Sequence, residues 1–96
     1  MATFIGLINL TEQGIRNVKD SPRRFEAFQA MAEKLGVKVK NVYYTLGQYD
    51  MLVVIEGSEE AVTAALLTVS SLGNVRTQTL RGFTLEETKG IVSAMP

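Results

Sequence analysis

The chain has 96 residues, and its ten basic and ten acidic side chains give a formal net charge of zero. A length of this order corresponds to one domain, so we expect residues 1–96 to form a single unit. Cysteine and histidine are absent, which excludes thiolate chemistry, disulfides and histidine- or cysteine-based metal sites. The balanced charge argues against nucleic acid as the main partner, because phosphate binding needs a clustered positive surface.

The first residues predict no export or membrane segment. Met1–Phe4 contain no basic stretch leading into an apolar core, so we expect no signal peptide. The longest apolar runs are about five residues, far short of the ~20 that span a bilayer. We therefore expect a soluble, cytoplasmic protein without a membrane partner.

The first third of the chain predicts a strand followed by two helices. Phe4–Leu10 is apolar on both faces, which is typical of a buried strand. Thr11 is suited to cap a short helix over residues 12–18. Ser21 is then predicted to cap a longer helix, Pro22–Leu35, with proline at its first position.

The rest of the chain alternates strands and helices. Val37–Leu46 is predicted as a polar strand and Met51–Glu56 as a strand buried on both faces. Ser58 is predicted to cap a helix that ends at Gly73, where glycine tolerates the left-handed conformation. Val75–Arg81 is predicted as a second polar strand.

The element order is β-α-β-β-α-β, followed by a short helix that opens with the capping-box sequence Thr84-Leu85-Glu86-Glu87. The first and third strands are apolar and should be central, whereas the polar second and fourth strands should form the edges of the sheet. We therefore predict an α+β, ferredoxin-like fold with a four-stranded antiparallel sheet.

Two helices can cover only one face of such a sheet, although its central strands are apolar on both. A large exposed apolar face marks an interface. We therefore expect two sheets to pack face to face in a homodimer or a larger homo-oligomer. The alternative is that the C-terminal helix folds over this face.

A turn and three tyrosines mark the strongest candidate for a ligand site. Gly47, Tyr49 and Asp50 stand directly before the buried third strand, and Tyr43 and Tyr44 lie close by. Gly47 would supply a positive φ, Asp50 would accept hydrogen bonds from an amine or hydroxyl, and Tyr49 would stack or donate. In the alternative interpretation, the carboxylate bonds to backbone amides of its own turn and the tyrosines fill an interface.

Three further polar residues lie on the predicted strands. Arg76 and Arg81 have an odd spacing and should point to opposite faces of the sheet. Either guanidinium could hold a ligand carboxylate, or it could pair with Glu56 or a partner's carboxylate. Asn9, at the end of the first strand, could orient a ligand or bond to the following turn.

The sequence carries no catalytic motif, so an enzyme is not the favoured interpretation and no cofactor is predicted. The usual general base, histidine, is absent. An enzyme without a cofactor, similar to a monooxygenase or an isomerase, remains an alternative. It would need a cavity of roughly 300 Å³ or more, either between the helices and the sheet or between two sheets. A module that only assembles, without a ligand, is a third possibility.

The chain resembles the GYD-domain family over nearly its whole length. The resemblance is carried by Ile8–Thr11, Gln13–Ile15, Thr45–Asp50 and Gly73–Arg81. The Gly-Tyr-Asp signature is interrupted here by Gln48. The resemblance implies the ferredoxin-like fold of a dimeric α/β barrel.

A more distant similarity is to the effector-binding domain of leucine-responsive/AsnC-type regulators. These domains also have Gly-x-Tyr-Asp before a buried strand and a turn like Gly73–Gln78. They assemble as dimers or rings and bind amino acids between subunits. This chain lacks their helix-turn-helix segment, so DNA binding is not implied. We therefore expect a homo-oligomeric module that binds a small polar metabolite near Tyr49 and Asp50, in a pocket between subunits or at the edge of the sheet.

Overall fold

The computed structural model describes all 96 residues. Its elements in chain order are β1 (Ala2–Leu10), α1 (Glu12–Arg16), a 3₁₀ turn (Val18–Asp20), α2 (Ser21–Lys34), β2 (Lys38–Tyr44), β3 (Met51–Gly57), α3 (Glu59–Ser71), β4 (Val75–Gly82) and α4 (Leu85–Ser93).

The four strands form one antiparallel sheet in the order β2-β3-β1-β4. The apolar strands β1 and β3 are central, and the polar strands β2 and β4 are the edges. This arrangement confirms the predicted ferredoxin-like fold. Helices α2 and α3 lie on one face of the sheet and enclose the core with it.

The core lies between that face and the two helices. Along β3, buried and half-buried residues alternate strictly, because successive side chains point to opposite faces of a sheet. The buried apolar residues are Ile8, Phe28, Ala32, Val37, Met51, Val53, Ile55, Val62 and Ala65.

Three of the four predicted helix caps are confirmed. Thr11, Ser58 and Thr84 each accept a hydrogen bond from an amide in the first turn, and Thr84 forms the full capping box with Glu87. The predicted cap at Ser21 is wrong. Ser21 is already helical, and its hydroxyl lies 2.7 Å from the hydroxyl of Tyr44 instead of facing the first turn.

The opposite face of the sheet, which we call the open face, has no helix over it. Its centre is apolar, since Ile5 pairs with Val54 and Leu80 across the strands, and Leu7 pairs with Leu52. All four side chains on the central strands are only half-buried, and Leu80 on the edge is 43% exposed.

The C-terminal helix does not cover the open face. No residue of α4 is buried, and Leu85, Ile91 and Val92 are all substantially exposed. The alternative in which this helix folds back over the sheet is therefore not what the structure shows. None of the helices combines the length and hydropathy needed to cross a bilayer.

Candidate functional site

Asp50 ties two strands together where the third strand begins. Its Oδ2 accepts a hydrogen bond of 2.8 Å from the amide of Leu10. Its own amide donates to the carbonyl oxygen of Ile8 at 2.8 Å. The carboxylate therefore bonds to the neighbouring strand β1, not to backbone amides of its own turn. Oδ1 accepts no hydrogen bond from the protein.

The segments after β1 and after α3 interlock beside this tie. The hydroxyl of Thr11 donates to the carbonyl oxygen of Gly73 at 2.6 Å, and its amide donates to that of Asn74 at 3.0 Å. The side-chain Nε2 of Gln13 donates to Asn74 Oδ1 at 2.9 Å. Gly14 lies so close that a Cβ there would stand 2.0 Å from the Asn74 carbonyl oxygen. One end of the sheet thus brings together the segments that carry the resemblance to the GYD-domain family: Ile8–Thr11, Gln13–Ile15, Thr45–Asp50 and the start of Gly73–Arg81.

The turn before Asp50 places Tyr49 above the edge strand. Gly47 adopts φ +108°, the left-handed region that favours glycine. The Thr45 hydroxyl donates to the carbonyl oxygen of Tyr49 at 2.6 Å and closes the turn. The Tyr49 hydroxyl in turn donates to Oε1 of Gln78 at 2.7 Å. The phenol is therefore held in position by β4.

These residues border a wide, polar depression of about 690 Å³ at the end of the open face. We call it the hollow. It is lined by Leu7, Asn9, Leu10, Thr11, Glu12, Gln48, Tyr49, Arg76, Thr77 and Gln78. Of the predicted site residues it brings together Asn9, Tyr49 and Arg76, and Asn9 and Arg76 are paired across β1 and β4. Gly47 and Asp50 are not lining residues, but they stand on either side of Gln48 and Tyr49, which line the hollow.

Arg76 forms no ion pair with a carboxylate of the chain. The ion pairs of the chain are local, between Glu12 and Arg16, Asp20 and Arg23, and Glu86 and Lys89. Neither Arg76 nor Arg81 pairs with Glu56. The exposed guanidinium of Arg76 is therefore available to an anionic group in the hollow.

Tyr44 and Arg81 lie away from the hollow. The Tyr44 hydroxyl reaches Ser21 on the helix side of the sheet. The Arg81 guanidinium lies 4.3 Å from the ring centroid of Phe83 and 5.6 Å from that of Phe4, at the other end of β4. The predicted opposite orientation of the two arginines agrees with these contacts.

Gln78 also lines the hollow, although it was not predicted as a site residue. It lies two residues after Arg76 on β4, so the two side chains share a face. It also pairs with Leu7 of β1. The alternation of side chains along β4 therefore indicates that Gln78 shares a face with Arg76. The contact between Gln78 and Tyr49, however, spans 29 residues and depends on the turn.

A second, mostly apolar cavity of about 210 Å³ lies on the helix side, between α2, α3 and the sheet. We call it the crevice. Its volume is below the roughly 300 Å³ expected of a typical small-molecule site. The crevice therefore does not favour the enzyme alternative, which remains a prediction for a cavity between two sheets.

The fold and the hollow together define a ferredoxin-like α+β domain with a polar depression beside an uncovered sheet face. The model of the GYD domain family matches residues 4–92, so the chain belongs to that family.

Known proteins similar to this chain include regulators and binding proteins. A relative from Thermus thermophilus, named glutamine synthetase and cystathionine beta-lyase binding protein, is 39% identical over 82 residues, which are 83% of this chain and 86% of the relative. The solved structure of TTHA0845, also from Thermus thermophilus, is 25% identical with a TM-score of 0.55, covering 88% of this chain and 95% of that one.

The feast or famine regulatory protein from M. tuberculosis, solved in complex with L-methionine, superposes with a TM-score of 0.65 at 18% identity. The alignment covers 88% of this chain but 51% of the regulator, so this chain spans about half of its length. At this identity the likeness establishes the fold alone.

Proposed function

We propose that this protein is a homo-oligomeric module that binds a small polar metabolite in the hollow. The observation that carries the proposal is the position of the hollow. Asn9, Tyr49 and the unpaired Arg76 converge directly beside an apolar sheet face that this chain leaves uncovered.

A second copy of the chain is the natural cover for the open face. The face is apolar at its centre, where Ile5, Leu7, Leu52 and Val54 stand on adjacent central strands. Two such sheets can pack face to face with their side chains interdigitated. The hollow adjoins this surface at Leu7, so a partner subunit would form its missing wall.

The side chains in the hollow favour a ligand with a carboxylate. The Arg76 guanidinium offers paired N–H groups in the geometry of a carboxylate. Asn9 supplies an amide, and Oδ1 of Asp50 is a free acceptor at the flank of the hollow. An α-amino acid presents both a carboxylate and an ammonium group. The bound L-methionine of the feast or famine regulator supports this ligand class.

Calorimetric titration with each of the twenty L-amino acids tests the proposal. We expect at least one to bind, and we expect Arg76→Gln to weaken its binding by about tenfold, because a charge-assisted hydrogen bond contributes roughly 1.5–3 kcal/mol. Arg81→Gln is the matched control on the same strand and should leave the affinity unchanged. Equal weakening by both variants, or no binding to the wild type, would contradict the proposal.

Binding to an enzyme is a second candidate function, favoured by the exposed apolar side chains of α4 and by the name of the Thermus relative. Leu85, Ile91 and Val92 are 74%, 48% and 55% exposed. Size-exclusion chromatography of this protein with the glutamine synthetase of its own source organism tests it. We expect the two proteins to co-elute and Ile91→Glu to abolish the co-elution. Leu67→Glu, at an exposed position on α3, should not abolish it. Separate elution of the wild-type protein would contradict this second function.

A further inference from the structure

The crevice on the helix side has walls that suit an apolar ligand. Phe25, Phe28 and Met31 line it from α2, Leu66 and Val69 from α3, and Val75 from β4. Most of its lining residues are hydrophobic. A cavity with such walls and few hydrogen-bonding partners holds water poorly and accepts apolar molecules instead.

The size of the crevice limits the ligand to a small body. The space of about 210 Å³ exceeds an engineered apolar cavity of about 150 Å³ that accepts benzene. A single substituted ring or a short branched aliphatic group would therefore fit. Thr77 lies beside Val75 on the same face of β4. Both side chains are small, so a space remains here between the sheet and the helices.

Arg24 is one of the residues that line this apolar space. Arg24 donates from Nη1 to the carbonyl oxygen of Asn17 at 2.9 Å and from Nη2 to that of Gly14 at 3.4 Å. These two backbone acceptors fix the half-buried side chain in place. No carboxylate of the chain lies within ion-pair distance of it, and each Nη keeps a second N–H group.

We infer that the crevice is a second binding site, for a small molecule that combines an apolar body with a carboxylate. The body would occupy the space between α2 and α3, and the carboxylate would bond to Arg24. This site lies on the opposite side of the sheet from the hollow and does not depend on the open face. Aryl-substituted and branched aliphatic acids are the ligand class that fits.

Methyl-resolved NMR titration with phenylacetate tests this inference. Toluene, which has the same aromatic ring but no carboxylate, is the neutral comparison. We expect phenylacetate to shift the methyl signals of Met31 and Val69 while those of the open face, such as Leu52, stay in place. Val69→Phe should fill the crevice and weaken binding by about tenfold or more, whereas Leu67→Phe, on the exposed side of the same helix, should not.

Arg24 has its own matched pair of variants, which do not alter the core. Arg24→Met should weaken the binding of phenylacetate by about tenfold but leave the binding of toluene unchanged, because only the carboxylate of the acid interacts with the charge. Arg23→Met, at the exposed neighbouring position, should change neither. The inference is overturned if phenylacetate leaves the crevice methyl signals unmoved, or if it binds Arg24→Met as tightly as the wild type.

Discussion

The carboxylate of Asp50 and the amide of Leu10, 40 residues apart in the chain, are joined by a hydrogen bond of 2.8 Å. This bond extends the contact between β1 and β3 beyond Met51, the first residue of β3. Asp50 thus fixes the approach of the turn that carries Tyr49. In this structure the Gly-x-Tyr-Asp segment therefore positions Tyr49 at the hollow.

Replacing Asp50 with alanine is expected to destabilise the fold by about 1–3 kcal/mol, because the half-buried amide of Leu10 loses its acceptor. Urea denaturation measures the change. The only other aspartate is the control: Asp20 forms an exposed ion pair of 3.5 Å with Arg23, so Asp20→Ala should stay within about 0.5 kcal/mol of the wild type. Equal stability of the two variants would show that the tie to Leu10 contributes little.

The close approach of α1 to the loop after α3 predicts a large effect at Gly14. Gly14→Ala would place a Cβ 2.0 Å from the Asn74 carbonyl oxygen, and we expect a loss of about 3 kcal/mol from the forced displacement. Gly90→Ala, in the exposed helix α4, meets nothing within 4 Å. It should instead stabilise that helix by about 1 kcal/mol. Thermal unfolding of both variants checks the contrast, and similar melting temperatures would contradict it.

The proposed assembly predicts that a charge on the open face separates the subunits. Val54 lies at the centre of that face between Ile5 and β2, and Val54→Lys would bury an ammonium group between two sheets. We expect sedimentation velocity to show a monomer that keeps the native circular dichroism spectrum. Leu67 on α3 is 67% exposed, so Leu67→Lys should leave the oligomer intact. Dissociation of the oligomer by Leu67→Lys would place the interface elsewhere.

Glu87 makes the start of α4 sensitive to acid. The hydrogen bond that its carboxylate accepts from the Thr84 amide is the main cause that lowers the pKa of Glu87 below its ordinary 4.5. Since the pKa is lower in the folded state, the stabilisation is present above pH 4.5 and is lost as the pH falls through the lowered pKa. The Thr84 amide resonance should titrate in that acidic range, and Glu87→Gln should abolish the titration. A titration that survives in Glu87→Gln would assign it to another group.

Polarity and local chemistry were sufficient to predict the fold. The apolar character of Phe4–Leu10 and Met51–Glu56 placed these strands at the centre of the sheet, and Thr11, Ser58 and Thr84 capped the helices as expected. These features depend on residues close together in the chain or on burial alone.

The errors and omissions involve partners that are distant in the chain. Ser21 precedes a proline like many caps, but its hydroxyl pairs with Tyr44, 23 residues away. Asp50 bonds to β1 instead of its own turn, and Gln78 meets Tyr49 only because β4 lies beside that turn. Local sequence patterns do not specify such contacts, since each requires the register of two strands.

Native mass spectrometry of protein purified without denaturation tests the central claim most directly, because it reports the subunit count and retained small molecules together. We predict a dimer or larger species that carries an additional discrete mass, and loss of that mass in Arg76→Gln with the oligomer preserved. A wild-type monomer would contradict the account, because no second subunit would then cover the open face or complete the wall of the hollow.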